Sequence, residues 1–226
     1  MTLPCNPGRR SAGRHDLVYV APRGWRAMLA GRDDLAAEPL VVRWAEQGWP
    51  AIRRRAMPDD PSGMTLGLPL PPSAGKKRLA FIVQTDDVAS VARPPLLSDA
   101  RKSAPVAWLP TLDRLAVLPF RHAVEARVFG SLAWQTLTGL AYVTEHSDLD
   151  LLLDLDRDTD LDRLTADIAA IEAGAPMRLD GELMRDDGAA VNWRELHAGT
   201  NDVLVKRLDG VGLLGRRSFV AGEAVS

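Results

Sequence analysis

Residues 130–155 read GSLAWQTLTGLAYVTEHSDLDLLLDL. From Asp148 to Leu155, leucines fall on every second position: Leu149, Leu151, Leu153 and Leu155. Asp148, Asp150, Leu152 and Asp154 take the alternate ones. Successive side chains of a strand point to opposite faces, so this spacing predicts a strand over 148–155 with one apolar face. Just upstream, VEARVF (124–129) predicts a strand that stops at Gly130. SLAWQTLTGL (131–140) then predicts a helix with Leu132, Leu137 and Leu140 available to one face.

Downstream, Thr159 with Asp162 resembles a capping box. Leu161, Leu164, Ile168 and Ile171 follow at helical spacing until Gly174 and Pro176. MRLDGELM (177–184) predicts a strand, Asp186-Asp187-Gly188 a tight turn, and 189–193 its hairpin partner. DVLVKRL (202–208) predicts a last strand or a short helix. The order strand, helix, strand, helix, strand, strand gives an α/β or α+β unit around one sheet.

The half before residue 111 is less regular. The first dozen residues read as a flexible lead. A strand is predicted at Leu17–Val20, a helix over 25–31 opened by Pro22 and Gly24, and strands over 39–44 (PLVVRW) and 78–84 (RLAFIVQ). Residues 58–75, rich in Pro, Gly and Ser, predict loops and turns. Residues 93–112 carry four prolines and predict a bridge with one short helix at 97–103. The fold class expected is α+β, with a mixed α/β domain over 1–110 followed by a mixed-sheet domain over 111–226.

The chain has 226 residues, 46% of them apolar and 26% charged, which suits a globular protein that buries its own core. Its net charge of −2 conceals an asymmetry: residues 1–110 sum to +6 and residues 111–226 to −8. The basic half suits phosphates or an acidic protein partner, and the acidic half suits cations. Cys5 is the sole cysteine, which excludes an intrachain disulfide and a cysteine zinc site. No apolar run approaches the length of a membrane span, and MTLPCNPGRRSAGR lacks the apolar core of a signal peptide. The expectation is a soluble, cytoplasmic protein with no membrane partner. Basic and aromatic residues do not interleave, and the net charge is negative, which argues against nucleic acid as a partner.

One constellation carries chemistry. Gly130-Ser131 stands at a strand-to-helix junction, where unpaired N–H groups and a partial positive charge suit a phosphate, with the serine hydroxyl as a further donor. Asp148 and Asp150 project from one strand face, where two like charges repel unless a cation lies between them. Mg²⁺ takes carboxylate and substrate phosphate oxygens, so this pair predicts a magnesium site. A third carboxylate from the next strand would complete a two-ion arrangement of the kind that stabilises a transition state at phosphorus. Asp180 is the choice, and Glu182, of the same parity, is the alternative. Lys206 can reach a phosphate as a point charge. Asp154, Asp156, Asp158 and Asp160 read as solvated charge or helix cap, and Trp134 and Trp193 as core. Arg53, Arg54 and Arg55, the run Lys76-Lys77-Arg78, and His15 beside Asp16 are weaker candidates for anion contact or an oriented imidazole.

This ordered set resembles the nucleotidyltransferase superfamily, the fold of DNA polymerase beta and the aminoglycoside nucleotidyltransferases. Gly130-Ser131 and Ser147-Asp148-Leu149-Asp150 match its paired motifs. A closer likeness covers roughly residues 14–210. Residues 130–155 with RLDGEL (178–183), VNWRE (191–195) and VLVK (203–206) resemble the phosphoribosyl-dephospho-CoA transferases of malonate decarboxylase, also called holo-acyl-carrier-protein synthases. Arg14-His15-Asp16-Leu17, Trp49-Pro50-Ala51 with the three arginines, and LGLPLP (66–71) before Lys76-Lys77-Arg78 are similar landmarks in the first half.

The resemblance implies transfer of phosphoribosyl-dephospho-CoA from triphosphoribosyl-dephospho-CoA to a serine of the decarboxylase's acyl carrier subunit, with release of pyrophosphate. It implies a DNA polymerase beta-like second domain and two Mg²⁺ ions. It assigns Asp148 and Asp150 to Mg²⁺, Asp180 to orienting or deprotonating the acceptor serine, and Gly130 and Ser131 to the departing pyrophosphate. Two other readings compete: a nucleotidyltransferase that adenylylates a small molecule or a protein, and an inactive ligand-binding scaffold of the same fold.

Overall fold

The computed structural model describes residues 13–222; Cys5 and the lead over the first dozen residues lie outside them. The chain divides into two compact units. One runs to Leu70 and resumes over Ala74–Arg93; the other comprises Pro71–Ser73 and everything from Pro94.

The first unit is a five-stranded antiparallel sheet with three helices. In chain order its elements are β1 (Leu17–Val20), α1 (Pro22–Ala30), α2 (Asp33–Ala36), α3 (Pro39–Gln47), β2 (Ala51–Arg53), β3 (Met64–Pro69), β4 (Arg78–Val83) and β5 (Val88–Ala92). The strands lie in the order β4-β3-β2-β1-β5. Trp25 of α1 packs on Phe81 of β4 with ring centroids 5.3 Å apart. Trp44 of α3 is fully buried and donates its indole N–H to the Pro50 carbonyl at 2.9 Å.

Two expectations fail here. Residues 39–44 form the helix α3, not a strand. Pro39 occupies the first turn, where its missing N–H costs nothing, and the buried residues Val41 and Trp44 lie three apart, a helical spacing. Tertiary packing overrode the β-branched Val41-Val42 pair. Residues 58–75 are not all loop, because they contain β3, whose Leu66 and Leu68 alternate inward and are fully buried.

The second unit builds a six-stranded mixed sheet. Its elements are α4 (Leu97–Ala100), α5 (Leu109–Leu115), α6 (Leu118–His122), β6 (Glu125–Val128), α7 (Gly130–Thr138), β7 (Leu149–Asp154), α8 (Leu161–Glu172), β8 (Leu179–Met184), β9 (Ala190–Asn192), α9 (Trp193–His197), β10 (Asp202–Lys206), β11 (Val211–Gly215) and α10 (Arg216–Val220). The order is β11-β10-β9-β8-β7-β6. Strands β7 and β8 are parallel, joined by the crossover helix α8, and the other neighbours are antiparallel. This mixed α and β architecture, with two sheets, is α+β.

Leu149, Leu151 and Leu153 turn into one large core with Leu164, Ile168 and Ile171 of α8 and Leu132 of α7. Leu152, on the opposite parity, is also buried, against Met184 and Ala190 and packed by Phe129. The cap of α8 is Asp160, whose side chain accepts from the Arg163 N–H at 3.1 Å, and not the Thr159 of the expected box. Thr159 instead accepts from the Asp156 N–H at 3.0 Å. Residues 202–208 resolve to the strand β10, and β11 adds an edge that the sequence reading lacked. Among the described residues no helix is long and apolar enough to cross a membrane.

Candidate active site

Strand β6 hands over to α7 at Phe129–Gly130, beside β7. The Phe129 N–H donates to the Asp150 carbonyl at 3.0 Å, which locks the junction to the middle of the acidic strand. Gly130 has φ +60°, a conformation side chains rarely adopt. A Cβ at this position would strike the Asp150 carboxylate. Glycine is therefore required twice, by its torsion and by the close approach of an acid. The next amide, Ser131 N–H, donates to the Asp150 carboxylate. The helix N-terminus and the Asp-x-Asp strand thus form one site.

Asp150 and Asp180 are register partners on the parallel strands β7 and β8. The Asp150 carboxyl is pushed up to about 7, first by burial, then by the charges of Asp180 and Asp148, with a smaller push from Glu182; the Ser131 N–H pulls the other way. Four acidic side chains therefore share one field. Among the described residues, no three His, Cys, Asp or Glu side chains form a ready-made metal cage.

Asp180 accepts a hydrogen bond from the side-chain amide of Asn192 at 2.8 Å. Asn192 is also the cap of α9, its Oδ1 accepting from the Arg194 N–H at 3.0 Å. The Arg194 guanidinium grips the Glu172 carboxylate with two nitrogens, stacks over the Trp193 ring at 4.5 Å and donates to the Leu179 carbonyl at 3.1 Å. Glu172 raises its pKa most, and Asp180 and Asp148 add to the effect, which puts this cation within the field of the acidic group. Gly181 makes room for the indole, since a Cβ there would come within 2.8 Å of Trp193 Cδ1. Trp193 and Trp134 are buried, as expected of core residues.

Glu182 differs from its neighbours. It is only 5% exposed and forms an ion pair with Lys206 Nζ at 3.2 Å. Lys206, read from the sequence as a phosphate contact, is thus engaged by a carboxylate two strands away in the sheet. Asp154 lies 3.8 Å from Arg127. The weaker candidates belong to the first unit. Arg54 is paired with Asp60 at 2.6 Å, Lys77 with Glu38 at 3.2 Å, and His15 meets Arg14 at 3.0 Å. Asp16 is buried, accepts from the Gly13 N–H at 2.7 Å and faces Arg93 at 3.7 Å.

Asn192 and Arg194 are the site residues that sequence reasoning missed. A signal for the first was present: Asn192-Trp193-Arg194-Glu195 has the spacing of a helix cap followed three residues later by an acid.

Two family models match the chain. Residues 13–94 match the phosphoribosyl-dephospho-CoA transferase MdcG N-terminal domain, and residues 96–217 match the MdcG C-terminal domain. A phosphoribosyl-dephospho-CoA transferase of Bradyrhizobium diazoefficiens is 63% identical over all of both chains. One of Xanthomonas campestris pv. campestris is 39% identical over 92% of this chain and 96% of its own. One of Xanthomonas axonopodis pv. citri is 38% identical over 95% of this chain and 100% of its own. No solved structure matches. With both domains matched in order and a full-length relative this similar, the chain belongs to the MdcG family of phosphoribosyl-dephospho-CoA transferases, the transferases of malonate decarboxylase.

Proposed function

We propose that this chain transfers phosphoribosyl-dephospho-CoA from triphosphoribosyl-dephospho-CoA to a serine of the malonate decarboxylase acyl carrier subunit, releasing pyrophosphate, with the second unit acting as a nucleotidyltransferase domain. The observation that carries the reading is the contact of Gly130 and Ser131 with Asp150, itself in register with Asp180. It sets an anion-binding helix start against an acidic strand pair, an arrangement suited to a polyphosphate held by cations.

The residues fit Mg²⁺. Their donors are all hard oxygens, and Asp150 resists ionisation first because it is buried and then because Asp180 and Asp148 crowd it, a conflict that a divalent cation reverses. Mg²⁺ ordinarily keeps several waters and takes substrate phosphate oxygens, so its binding needs no closed cage of side chains. Asp148, Asp150 and Asp180 would hold it, and Glu182 is occupied by Lys206. When bound, the ion neutralises charge developing on the phosphate oxygens.

The chain's own groups supply the rest. The α7 N-terminus and the Ser131 hydroxyl steady the leaving pyrophosphate. Asp180 orients the acceptor serine and takes its proton as the Oγ–P bond forms and the bond to pyrophosphate breaks. Rate comes mainly from alignment and charge neutralisation. The reaction takes place in solution, in the cytoplasm, without nucleic acid.

The test is mass spectrometry of the carrier. Incubated with this protein, Mg²⁺ and the triphosphoribosyl precursor, the apo carrier should gain one phosphoribosyl-dephospho-CoA. Asp148→Ala and Asp150→Ala should abolish the gain. No gain, with a nucleotide mass added from ATP instead, would favour the adenylylating reading; no gain from either would favour the inactive scaffold.

A further inference from the structure

We infer that Asn192 is a positioning residue for the transfer reaction, its side-chain amide fixing the orientation of the Asp180 carboxylate. The inference deepens the proposed function and rests on the role given there to Asp180.

A carboxamide has one acceptor end and one donor end. The Asn192 Oδ1 is claimed by the Arg194 N–H at 3.0 Å, an N–H that can only donate. That bond fixes which way the amide faces. The NH2 group must then point the other way, and there Nδ2 donates to Asp180 Oδ1 at 2.8 Å. The backbone reinforces the geometry, because Asn192 is the register partner of Glu182, two residues along β8 from Asp180. Asn192 is also the last residue of β9 and the cap of α9, so its backbone is held from both sides. One oxygen of Asp180 is therefore tied down, and the carboxylate cannot rotate without breaking a charge-assisted bond.

Aspartate and serine can cap a helix as asparagine does, but an ionised aspartate has no donor, and the serine hydroxyl, one bond shorter and turned to the cap, does not reach Asp180 as Nδ2 does. Asparagine is the choice that does both. This separates the two jobs of the residue. Asn192→Ser keeps the cap and loses the bond to Asp180. Asn192→Asp keeps the cap and turns the bond into a repulsion.

The experiment measures melting, steady-state carrier modification and the NMR signals of side-chain amides in the full-length chain. Asn192→Ser should melt within ~2 °C of the parent, because the cap survives. Its kcat should fall about tenfold, as expected for one lost bond to a charged group. KM for the triphosphoribosyl donor should stay within about twofold, since positioning acts on the transition state. Asn192→Asp should lose on the order of a hundredfold in kcat. Asp180→Ala should shift the Asn192 NH2 signals.

A role in capping alone predicts parental kcat in both variants, and that result would overturn the inference. So would Asn192 NH2 signals that Asp180→Ala leaves unmoved. Full transfer by Asp180→Ala is a separate outcome: it would overturn the role given to Asp180 in the proposed function, and the inference with it.

Discussion

Gly130 and Asp150 constrain each other, and the two positions call for opposite substitution effects. At Gly130 any side chain meets both a left-handed torsion and the Asp150 carboxylate. Gly130→Ala should destabilise the chain by roughly 1–3 kcal/mol and reduce transfer at least a hundredfold; melting and carrier mass together check it. Asp150 carries a penalty in the metal-free protein. Its ordinary pKa of 3.8 rises to about 7 in the fold. Between those values the unfolded chain has released a proton that the folded chain keeps. Stability present below about pH 4 is therefore lost as the pH climbs to 7, and the loss is complete above it. In EDTA, Asp150→Asn should melt with the parent at pH 4 and above it at pH 8, by about 2 kcal/mol after discounting for residual solvent. Equal melting at pH 8 would mean that neither burial nor the neighbouring carboxylates penalise the ionised Asp150. Under the proposed Mg²⁺ role, an ion bound at Asp150 would lift this penalty.

At the level of elements, Glu172 adds a polar tie between the crossover helix α8 and β8 to the apolar core they share. Glu172, the last residue of α8, accepts from the Leu179 N–H at 2.8 Å and holds Arg194, which steps over to α9. Arg194 holds the Glu172 carboxyl below its usual range. Stability from this pair is present above the ordinary value of 4.5 and fades as the pH falls through the lower folded one. Glu172→Gln should cost about 1 kcal/mol at pH 7 and progressively less as the pH falls below 4.5, read from melting across that range. The legibility of elements follows the same logic of near and far neighbours. The run from Asp148 to Leu155 announced β7 because its alternation is local, and Gly130 announced the start of α7 because glycine marks a required torsion. The segment Pro39–Gln47 misled because Val41 and Val42 favour a strand while distant packing around Trp44 selects a helix. β3 was hidden by the Gly67 and Pro69 that its paired setting tolerates. In the candidate site, Asp150 and Asp180 stood out in the sequence as strand carboxylates. The Lys206 tie to Glu182 and the Asn192 tie to Asp180 depend on register across strands, which no short window of sequence contains.

Across the whole molecule, the sequence reading placed the change of domain at residue 110, at the end of a proline-rich bridge, whereas the compact units divide after Arg93 and the two family models meet between 94 and 96. The difference concerns what residues 94–110 do. Leu97, Ala100 and Trp108 are buried members of the same core as Leu149, Leu151 and Ile168. Val128 donates its N–H to the Pro95 carbonyl at 2.9 Å, so the segment also satisfies the free edge of β6. Prolines here do not mark a linker; they space short helical turns that cover the sheet. Burying a large apolar side chain contributes roughly 1.5–3 kcal/mol, so deleting Leu97 and Trp108 together removes about 3–6 kcal/mol, comparable with the whole stability of a small domain. A fragment of residues 94–226 should therefore unfold cooperatively on its own, because it keeps this core intact. A fragment of residues 111–226 should melt far lower or fail to fold. Circular dichroism melts of the two fragments decide the matter: equal melting would show that residues 94–110 lie on the unit without stabilising it. In the longer fragment, Mg²⁺ should also raise the melting temperature more at pH 8 than at pH 5, since the acidic strands that would bind it all lie beyond Pro94 and the crowding it relieves is complete only above pH 7.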